Sequence, residues 1–511
     1  MTHRSRASRF GTLLLIALAH RAAAAAGATA DAAAEAGAAA ARAARYRGSA
    51  LPAFRKDLLA LAAIPSVSSL PQHADDVLAA ADWLVSKLRA AGLGNVSLLP
   101  TEGAQPVVFA EHMGAGPDAP TVLIYGHYDV QPVDPLDLWT SPPFAPEERG
   151  GYFYGRGVDD DKGGLLNAVH AVESYLQAAS EGGAPGRLPV NVKFLLEGQE
   201  EIGSPNLAPF LTRHAALFAD ADVALSADGG QISEAQPGIP TGFRGAIGLQ
   251  VDIVTAGIDM HSGMKGGSVQ NAAHALIQLL ATLRDPSTGR VAVSGFYESV
   301  VEPDADDRDD MEVGGWYRPT LEVVGMGSGF SGQGIKTIVP ASSFAKLSAR
   351  LVPNQAPEEV AGKVEAHLRA HAPPLANLTV TVMGFRADPW RSPRRTPGNV
   401  AAARALRKVM GAEPLFFKDG GTVPALAYLD SLLGLPTTVF AFCLGERIHA
   451  PNERLKVSMF DLGSLGWIEL LSELGATGKA AFAEAKAARA RGAAAAAAEE
   501  EEEQGGARDE L

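Results

Sequence analysis

The feature that most constrains the fold is a series of short apolar runs that end in glycine and in acidic or histidine residues. In TVLIYGHYDV, the apolar residues 122–125 stop at Gly126, and His127 and Asp129 follow. VVFAEHM, VNVKFLLEG and DVALSADG have a similar strand-like composition, and segments with helical spacing of apolar residues, such as LLNAVHAVESYLQAA, accompany them. This alternation predicts an α/β sheet with helices on its faces.

The chain has 511 residues, which exceeds one compact core and predicts at least two domains. The α/β pattern covers residues 45–242 and resumes over 392–475. Residues 243–391 differ, because alternating strands such as GLQVDIVTAG stand beside helical stretches such as PEEVAGKVEAHLRAH. We interpret them as an inserted α+β domain, with the prolines of DPWRSPRRTPGN in its return linker.

The two ends of the chain resemble targeting signals. Arg4, Arg6 and Arg9 precede a short apolar core and small residues, which predicts a secretory signal peptide over residues 1–24, with a transit peptide as the alternative. The terminal RDEL resembles a lumenal retention tetrapeptide, so we expect the secretory pathway and the endoplasmic reticulum lumen. We expect an Ala-rich linker at 25–44 and an Ala/Glu-rich tail at 476–511, because such helices lack an apolar face.

Charge and cysteine content exclude some classes of partner and site. The net charge of −14, part of it from the acidic run at 499–503, argues against nucleic acid as the partner. Cys443 is the single cysteine and lies in the apolar run TTVFAFCLG, which predicts a buried side chain. No apolar stretch after the first segment is long enough to predict a membrane span.

The polar residues that follow the apolar runs point to metal binding. Such positions gather at the carboxyl edge of an open α/β sheet. They are His127, Asp129, Glu200, Glu201, Asp228 and His449, together with the aspartates of YGRGVDDDKGG. Each alone fits a turn, a solvated surface or an inert loop. Adjacent carboxylates repel each other without a nearby cation, and imidazole with carboxylate suits zinc or manganese, so their co-occurrence favours a site for two divalent ions.

GHYDV, GRGVDDDKGG, EGQEEIGS, SADGG and HAPNE, in this order, resemble the co-catalytic di-zinc metallopeptidase family. That family includes carnosine-type dipeptidases, glutamate carboxypeptidase, aminoacylase and succinyl-diaminopimelate desuccinylase. The resemblance spans about residues 50–475. It implies a zinc-peptidase-like catalytic domain with a central, mostly parallel sheet and an inserted dimerisation or lid domain. The implied activity is metal-dependent hydrolysis of dipeptides or short peptides, with two Zn²⁺ ions, or Mn²⁺, as cofactors.

The resemblance assigns metal ligands by motif. His127 and Asp228 would bind one ion, Glu201 and His449 the other, and Asp160 would bridge them. Among the three consecutive aspartates, counting from either flanking motif selects Asp160, and a cis peptide bond is expected after it. The remaining two assignments concern catalysis: Glu200 would be the general base on a metal-bridging water, and Asp129 would orient His127.

Two further motifs of the resemblance concern the substrate and the partner subunit. DMHSGMKGGSVQNA resembles the family's dimerisation motif and implies a homodimer in which His261 stabilises the oxyanion in the partner's active site. SARLVPN and FKDGGTVPA imply that Arg350 binds the substrate carboxylate, with Gly421 and Thr422 beside the scissile bond. Arg350 could instead pair on the surface. Gly229 and Gly230 replace bulkier residues of dipeptidase relatives, which leaves the side-chain preference open.

Two alternatives to a dipeptidase remain at this stage. An N-acyl amino acid deacylase or desuccinylase would use the same two-metal chemistry. A catalytically silent lumenal binding protein belongs to another class. The sequence leaves open the preferred dipeptide, the physiological metal and the signal cleavage site.

Overall fold

The computed structural model describes residues 5–178, 186–301 and 318–491, with the backbone alone for residues 5–33 and 104. The helices are α1 (Ser5–Ala62), α2 (Ala74–Ala91), α3 (Lys162–Gln177), α4 (Leu207–Arg213), α5 (Ser262–Lys265), α6 (Ala272–Ala281), α7 (Pro357–His371), α8 (Pro397–Met410), α9 (Pro424–Leu433) and α10 (Val457–Thr477). Short 3₁₀ turns include Leu136–Leu138 and Glu200–Ile202.

The strands are β1 (Gly94–Thr101), β2 (Ala104–His112), β3 (Thr121–His127), β4 (Glu147–Arg149), β5 (Tyr152–Tyr154), β6 (Asn191–Glu197), β7 (Val223–Ser226), β8 (Gly238–Phe243), β9 (Gly245–Val254), β10 (Met260–His261), β11 (Thr320–Ser328), β12 (Ile338–Val339), β13 (Ser342–Leu351), β14 (Asn377–Ala387), β15 (Trp390–Arg391), β16 (Leu415–Asp419), β17 (Thr437–Val439) and β18 (Arg454–Lys456). Six of them form the central sheet in the order β1-β2-β6-β3-β7-β17. β6, β3, β7 and β17 run parallel, and β1 and β2 are antiparallel at one edge. The predicted α/β fold with a mostly parallel sheet is confirmed.

Helices cover both faces of this sheet. Val122 and Ile124 of β3 pack in a core with side chains of α1, α2, α3, α8 and α10. Leu123 and Tyr125, which alternate with them, pack in a second core with α4 and α9. Burial on both faces explains why β3 is a continuous apolar run and not an alternating one.

The inserted segment has its own sheet and its own core. β11, β13, β9 and β14 pair antiparallel in that order. Alternate residues of β9 pack against α6 and α7 in a separate core, namely Ile247, Leu249, Val251 and Ile253. The strands through which the chain leaves and returns, β8 and β15, pair with each other at Phe243–Trp390 and Gly242–Arg391.

We expected an Ala-rich linker at 25–44, but residues in the second half of this segment are packed in the structure. Ala36, Ala39, Ala40 and Ala43 are buried, and α1 packs against α3 and α10. Alanine methyl groups let helices approach closely, and apolar side chains of the same helix, such as Leu58, anchor it. In the predicted tail, the helical residues 479–491 carry Phe482 into the same core.

Other predictions on the chain ends fall mostly outside the described residues. The side chains of the predicted signal peptide at 1–24 and the RDEL tetrapeptide at 508–511 are not described. Within the described ranges, no helix combines the length and apolar character needed to cross a membrane. Cys443 is buried, as predicted, and its thiol donates to the carbonyl of Asp159.

His170 is a fully buried histidine on α3, and it is not among the predicted site residues. Its ring stacks on Phe54 of α1 with a centroid distance of 3.9 Å. Its Nε2 lies 3.0 Å from a carboxylate oxygen of Asp57, also on α1. Burial lowers the pKa of His170 to about 4, so the neutral ring donates to Asp57 at neutral pH. The docking of α1 therefore includes an ionisable group that is buried uncharged.

His170→Gln is expected to reduce the loss of stability on acidification. The unfolded chain protonates this ring near its ordinary pKa of about 6.5, whereas the folded protein does so only near 4. The wild type should therefore lose roughly 2 to 3 kcal/mol of unfolding free energy relative to the variant between about pH 7.5 and 4.5. Urea unfolding across this range measures the difference. Equal slopes for wild type and His170→Gln would contradict the prediction.

Candidate metal centre and substrate cavity

The parallel strands β3, β6 and β7 deliver polar residues to one edge of the sheet. His127 is the last residue of β3, and Asp228 lies two residues beyond β7. Glu200 and Glu201 follow β6 in the 3₁₀ turn Glu200–Ile202. Asp160 joins them from the loop between β5 and α3. Strand polarity therefore explains why residues far apart in sequence converge.

Two groups of possible metal ligands share one carboxylate. His127, Asp160 and Asp228 place ligand atoms within 4.8 Å of one another, and so do Asp160, Glu201 and His449. One oxygen of Asp160 lies 3.1 Å from His127 Nε2, and the other lies 3.0 Å from His449 Nε2. His449 Nε2 also lies 3.3 Å from Glu201. The structure thus brings together all five residues predicted as ligands, with Asp160 in the middle.

The electrostatics of the cluster favour cations. Burial raises the pKa of Asp228 to about 7, with the charge of His127 opposing the shift and the charges of Asp160 and Glu201 adding to it. Hydrogen bonds to Asp160 and Glu201 raise the pKa of His449 to about 10. Burial also raises the pKa of Glu200, together with repulsion from Asp228 and Glu201. The five possible ligands comprise three carboxylates and two imidazoles. Closely spaced carboxylates repel each other without a cation, and this set of donor atoms fits two divalent ions.

Asp129 has more contacts than the sequence predicted. His127 Nδ1 lies 3.1 Å from the Asp129 carbonyl and 3.4 Å from its carboxylate, which leaves Nε2 facing the cluster. The same carboxylate accepts hydrogen bonds from the backbone amides of Glu200 and Glu201, at 3.2 and 3.1 Å. Asp129 therefore joins the β3 histidine to the loop that carries the two glutamates.

Glu453, the last letter of the HAPNE motif, has a related role that the sequence analysis missed. It is fully buried, and one of its oxygens accepts from the backbone amides of Gly157, Asp159 and Asp160 at 3.0–3.2 Å. Its other oxygen pairs with Arg156 at 2.6 Å. The motif letters were visible, but only the folded backbone shows which amides they contact. The peptide bond after Asp160 is cis, as expected.

A cavity of about 690 Å³ opens beside the cluster of possible metal ligands, between the catalytic and inserted domains. Arg350, at the end of β13, donates to the hydroxyl of Thr422, which donates in turn to the carbonyl of Arg244 at 2.7 Å. Gly421 and Asp419 also line the cavity. All three predicted substrate-contact residues thus share one wall. Asp419 was missed, although it lies within the quoted FKDGGTVPA motif.

Neighbouring chain segments leave no room for a side chain at Gly229 or Gly230. A Cβ atom at Gly229 would lie 2.6 Å from a methyl group of Val439, and one at Gly230 would lie 2.9 Å from the carbonyl of Cys443. Gly229 also has a φ of +140°. Close approach of neighbouring chain segments therefore requires small residues here, independently of any substrate side chain.

His261 is the one predicted site residue that neither contacts the ligand cluster nor lines the cavity of its own chain. It lies in β10, paired with β12, and is exposed. Its ring accepts from the backbone amide of Gly263 at 3.1 Å. Among the described residues, those that line the cavity do not include it.

Comparisons with known proteins match most of the chain. The model of peptidase family M20/M25/M40 matches residues 123–473. The Cys-Gly metallodipeptidase of Saccharomyces cerevisiae is 30% identical over 459 residues, which are 81% of this chain and 93% of that protein. The Beta-Ala-His dipeptidase of Homo sapiens is 30% identical over 381 residues, 68% and 74% of the two chains. The solved structure of a dipeptidase from Saccharomyces cerevisiae has a TM-score of 0.75 and 27% identity, covering 85% of this chain and 98% of that chain.

Proposed function

The chain belongs to peptidase family M20/M25/M40, and from this premise we propose that it hydrolyses the peptide bond of dipeptides with two divalent metal ions. The observation that carries the proposal is the Asp160 carboxylate, whose two oxygens face two different histidines. The similarity to two named dipeptidases supports the dipeptide as the substrate class.

The proposed metals are Zn²⁺ ions, with Mn²⁺ as the second candidate. His127 and Asp228 would hold one ion, Glu201 and His449 the other, and Asp160 both. When bound, such ions lower the pKa of a water molecule and polarise the scissile carbonyl. Nitrogen and carboxylate donors in these numbers suit zinc, and the carboxylate excess also tolerates manganese.

The residues of the chain would then move the proton and hold the substrate. Glu200 takes the proton of the attacking water and returns it to the leaving amine, a role that suits a carboxylate whose pKa is raised. The guanidinium of Arg350 binds the terminal carboxylate of the peptide. The half-buried carboxylate of Asp419, which accepts from the amide of Gly421, lines the same cavity and suits the α-ammonium group. A free dipeptide carries both charges.

A hydrolysis screen tests the proposal. The purified chain, loaded with zinc or manganese, is given a panel of dipeptides and of N-acyl amino acids, and its metal content is measured. We expect two ions per chain and hydrolysis of dipeptides that stops when a chelator removes the metal. Preference for N-acyl amino acids would identify a deacylase instead. Absence of both metal and turnover would support the silent binding protein.

We also propose a homodimer through the inserted domain. That domain exposes apolar side chains, among them Met264 at 78% and Ile335 at 91% exposure, and its strand β11 is at a sheet edge. Such surfaces are typical of protein contacts. His261, exposed on the same domain, would reach the active site of a second copy and stabilise the oxyanion there.

Mixing two inactive variants tests whether active sites are shared. His261→Ala and Glu200→Gln should each be inactive alone. In a mixed dimer, one site would combine Glu200 of one chain with His261 of the other. Random pairing should then restore roughly a quarter of the wild-type activity. The measurement is turnover of the whole, unsorted dimer population after co-expression, and no recovery would contradict sharing.

We propose residence in the lumen of the endoplasmic reticulum. The arginines and apolar core of the first residues and the terminal RDEL support it. Deleting residues 508–511 should send the protein into the medium. Retention inside the cell without these residues would contradict the role of the tetrapeptide.

A further inference from the structure

Two residues of the motif EGQEEIGS have no role in the proposed catalytic reaction. Glu197 is its first residue and Ser204 its last, and both are buried. The hydroxyl of Ser204 donates to one oxygen of Glu197 at 2.8 Å. The hydroxyl of Tyr125, on the neighbouring strand β3, donates to the same oxygen at 2.7 Å. A single carboxylate oxygen therefore joins both ends of the loop at 198–203 to the central sheet.

This contact completes a three-point attachment of the loop that carries Glu200. Its two ends meet at Glu197, and its middle is held by the carboxylate of Asp129, which accepts from the amides of Glu200 and Glu201. The amide of Ser204 also donates to the carbonyl of Gln199 at 2.9 Å, inside the loop. The loop holds two adjacent carboxylates that repel each other, so its shape depends on these attachments.

The backbone at Ser204 indicates that its hydroxyl is required. Ser204 has a φ of +51°, and Gly203 before it has a φ of +89°. Glycine adopts such values without cost, whereas serine is disfavoured there. A serine at this position is therefore explained by its contact with Glu197 and not by the turn.

We infer that Glu197, Ser204 and Tyr125 form a clamp that positions Glu200 for proton transfer. The clamp residues are positioning residues, because they act through the loop and do not face the substrate. This inference rests on the proposed function, in which Glu200 is the general base. Small misplacements of a catalytic group lower turnover strongly, whereas Arg350, which belongs to the inserted domain and not to this loop, should still bind the substrate.

Ser204→Gly and Tyr125→Phe test the clamp. Each removes one hydroxyl, and glycine also relieves the unfavourable backbone conformation at residue 204. We expect kcat to fall by about tenfold to a hundredfold in each variant, with KM and metal content near those of the wild type. Glu197→Gln, whose amide oxygen can still accept both hydrogen bonds, should retain most of the activity.

Tyr175→Phe is the matched control for Tyr125→Phe. Tyr175 is equally buried and donates to the carbonyl of Ile468 at 2.8 Å, away from the cavity. Both changes should lower the thermal midpoint similarly, but only Tyr125→Phe should lower kcat. Unchanged kcat in Tyr125→Phe and Ser204→Gly would overturn the clamp, even with an active wild type. An inactive wild type would instead overturn the proposed function.

Discussion

Glu200→Gln is expected to lower kcat by about 10²- to 10⁴-fold, the range that general base catalysis contributes. Glutamine has nearly the same shape but cannot take a proton from water. Since the five predicted ligands remain, we expect both metal ions to stay bound. Steady-state kinetics on the best dipeptide, with metal analysis of the same sample, measures the two effects together.

The control for this change is an exposed glutamate. Glu298→Gln removes a carboxylate that pairs with Lys363 on the surface of the inserted domain, and it should leave kcat unchanged. Loss of metal together with turnover in Glu200→Gln would show that Glu200 is a ligand and not the base. Full activity of this variant would require another group to accept the proton.

Asp160→Ala is expected to abolish the binding of both metal ions, and with it all turnover. Each oxygen of this carboxylate faces one of the two ligand groups, so its removal takes a donor from both. Metal ions at about a hundred times their Kd stabilise a folded protein by about 2.7 kcal/mol. Zinc should therefore raise the thermal midpoint of the wild type and leave that of the variant unchanged.

Asp159→Asn is the neighbouring control for Asp160→Ala. Asp159 is buried, burial raises its pKa, and one of its oxygens accepts from the amide of Gly445. An asparagine can keep that hydrogen bond, so both ions should remain bound. If Asp159→Asn lost the ions and Asp160→Ala retained them, the assignment within the three consecutive aspartates would be wrong.

The sequence predicted the sheet and the convergence of the ligands because both depend on local pattern. Runs such as TVLIY identify buried strands, and parallel strands bring their carboxyl ends to one edge. His127, Asp228 and His449 could be found because each follows an apolar run. Asp160, in contrast, was identified only by the resemblance, since three aspartates in a row offer no pattern that separates them.

Other features depend on tertiary contacts that no local pattern contains. Alanines in the second half of the predicted linker are buried in α1, a helix that packs against α3 and α10, and composition alone does not reveal this packing. The hydrogen bonds of Glu453 to a loop almost 300 positions earlier in the chain depend on the folded backbone. His261 lies away from the cavity of its own chain, so a second chain would have to complete its role.

The strands that flank the inserted domain, β8 and β15, are paired with each other, so the domain can be deleted by joining these two strands directly. Gly242 and Arg391 are paired neighbours, and paired strands lie about 4.8 Å apart, a gap that a tight turn can bridge. Joining these strands directly would leave the central sheet and all five ligands on a shortened chain without Arg350. The architecture thus separates at one strand pair into a part that holds all five candidate metal ligands and an inserted part that holds Arg350, the residue proposed to bind the substrate carboxylate.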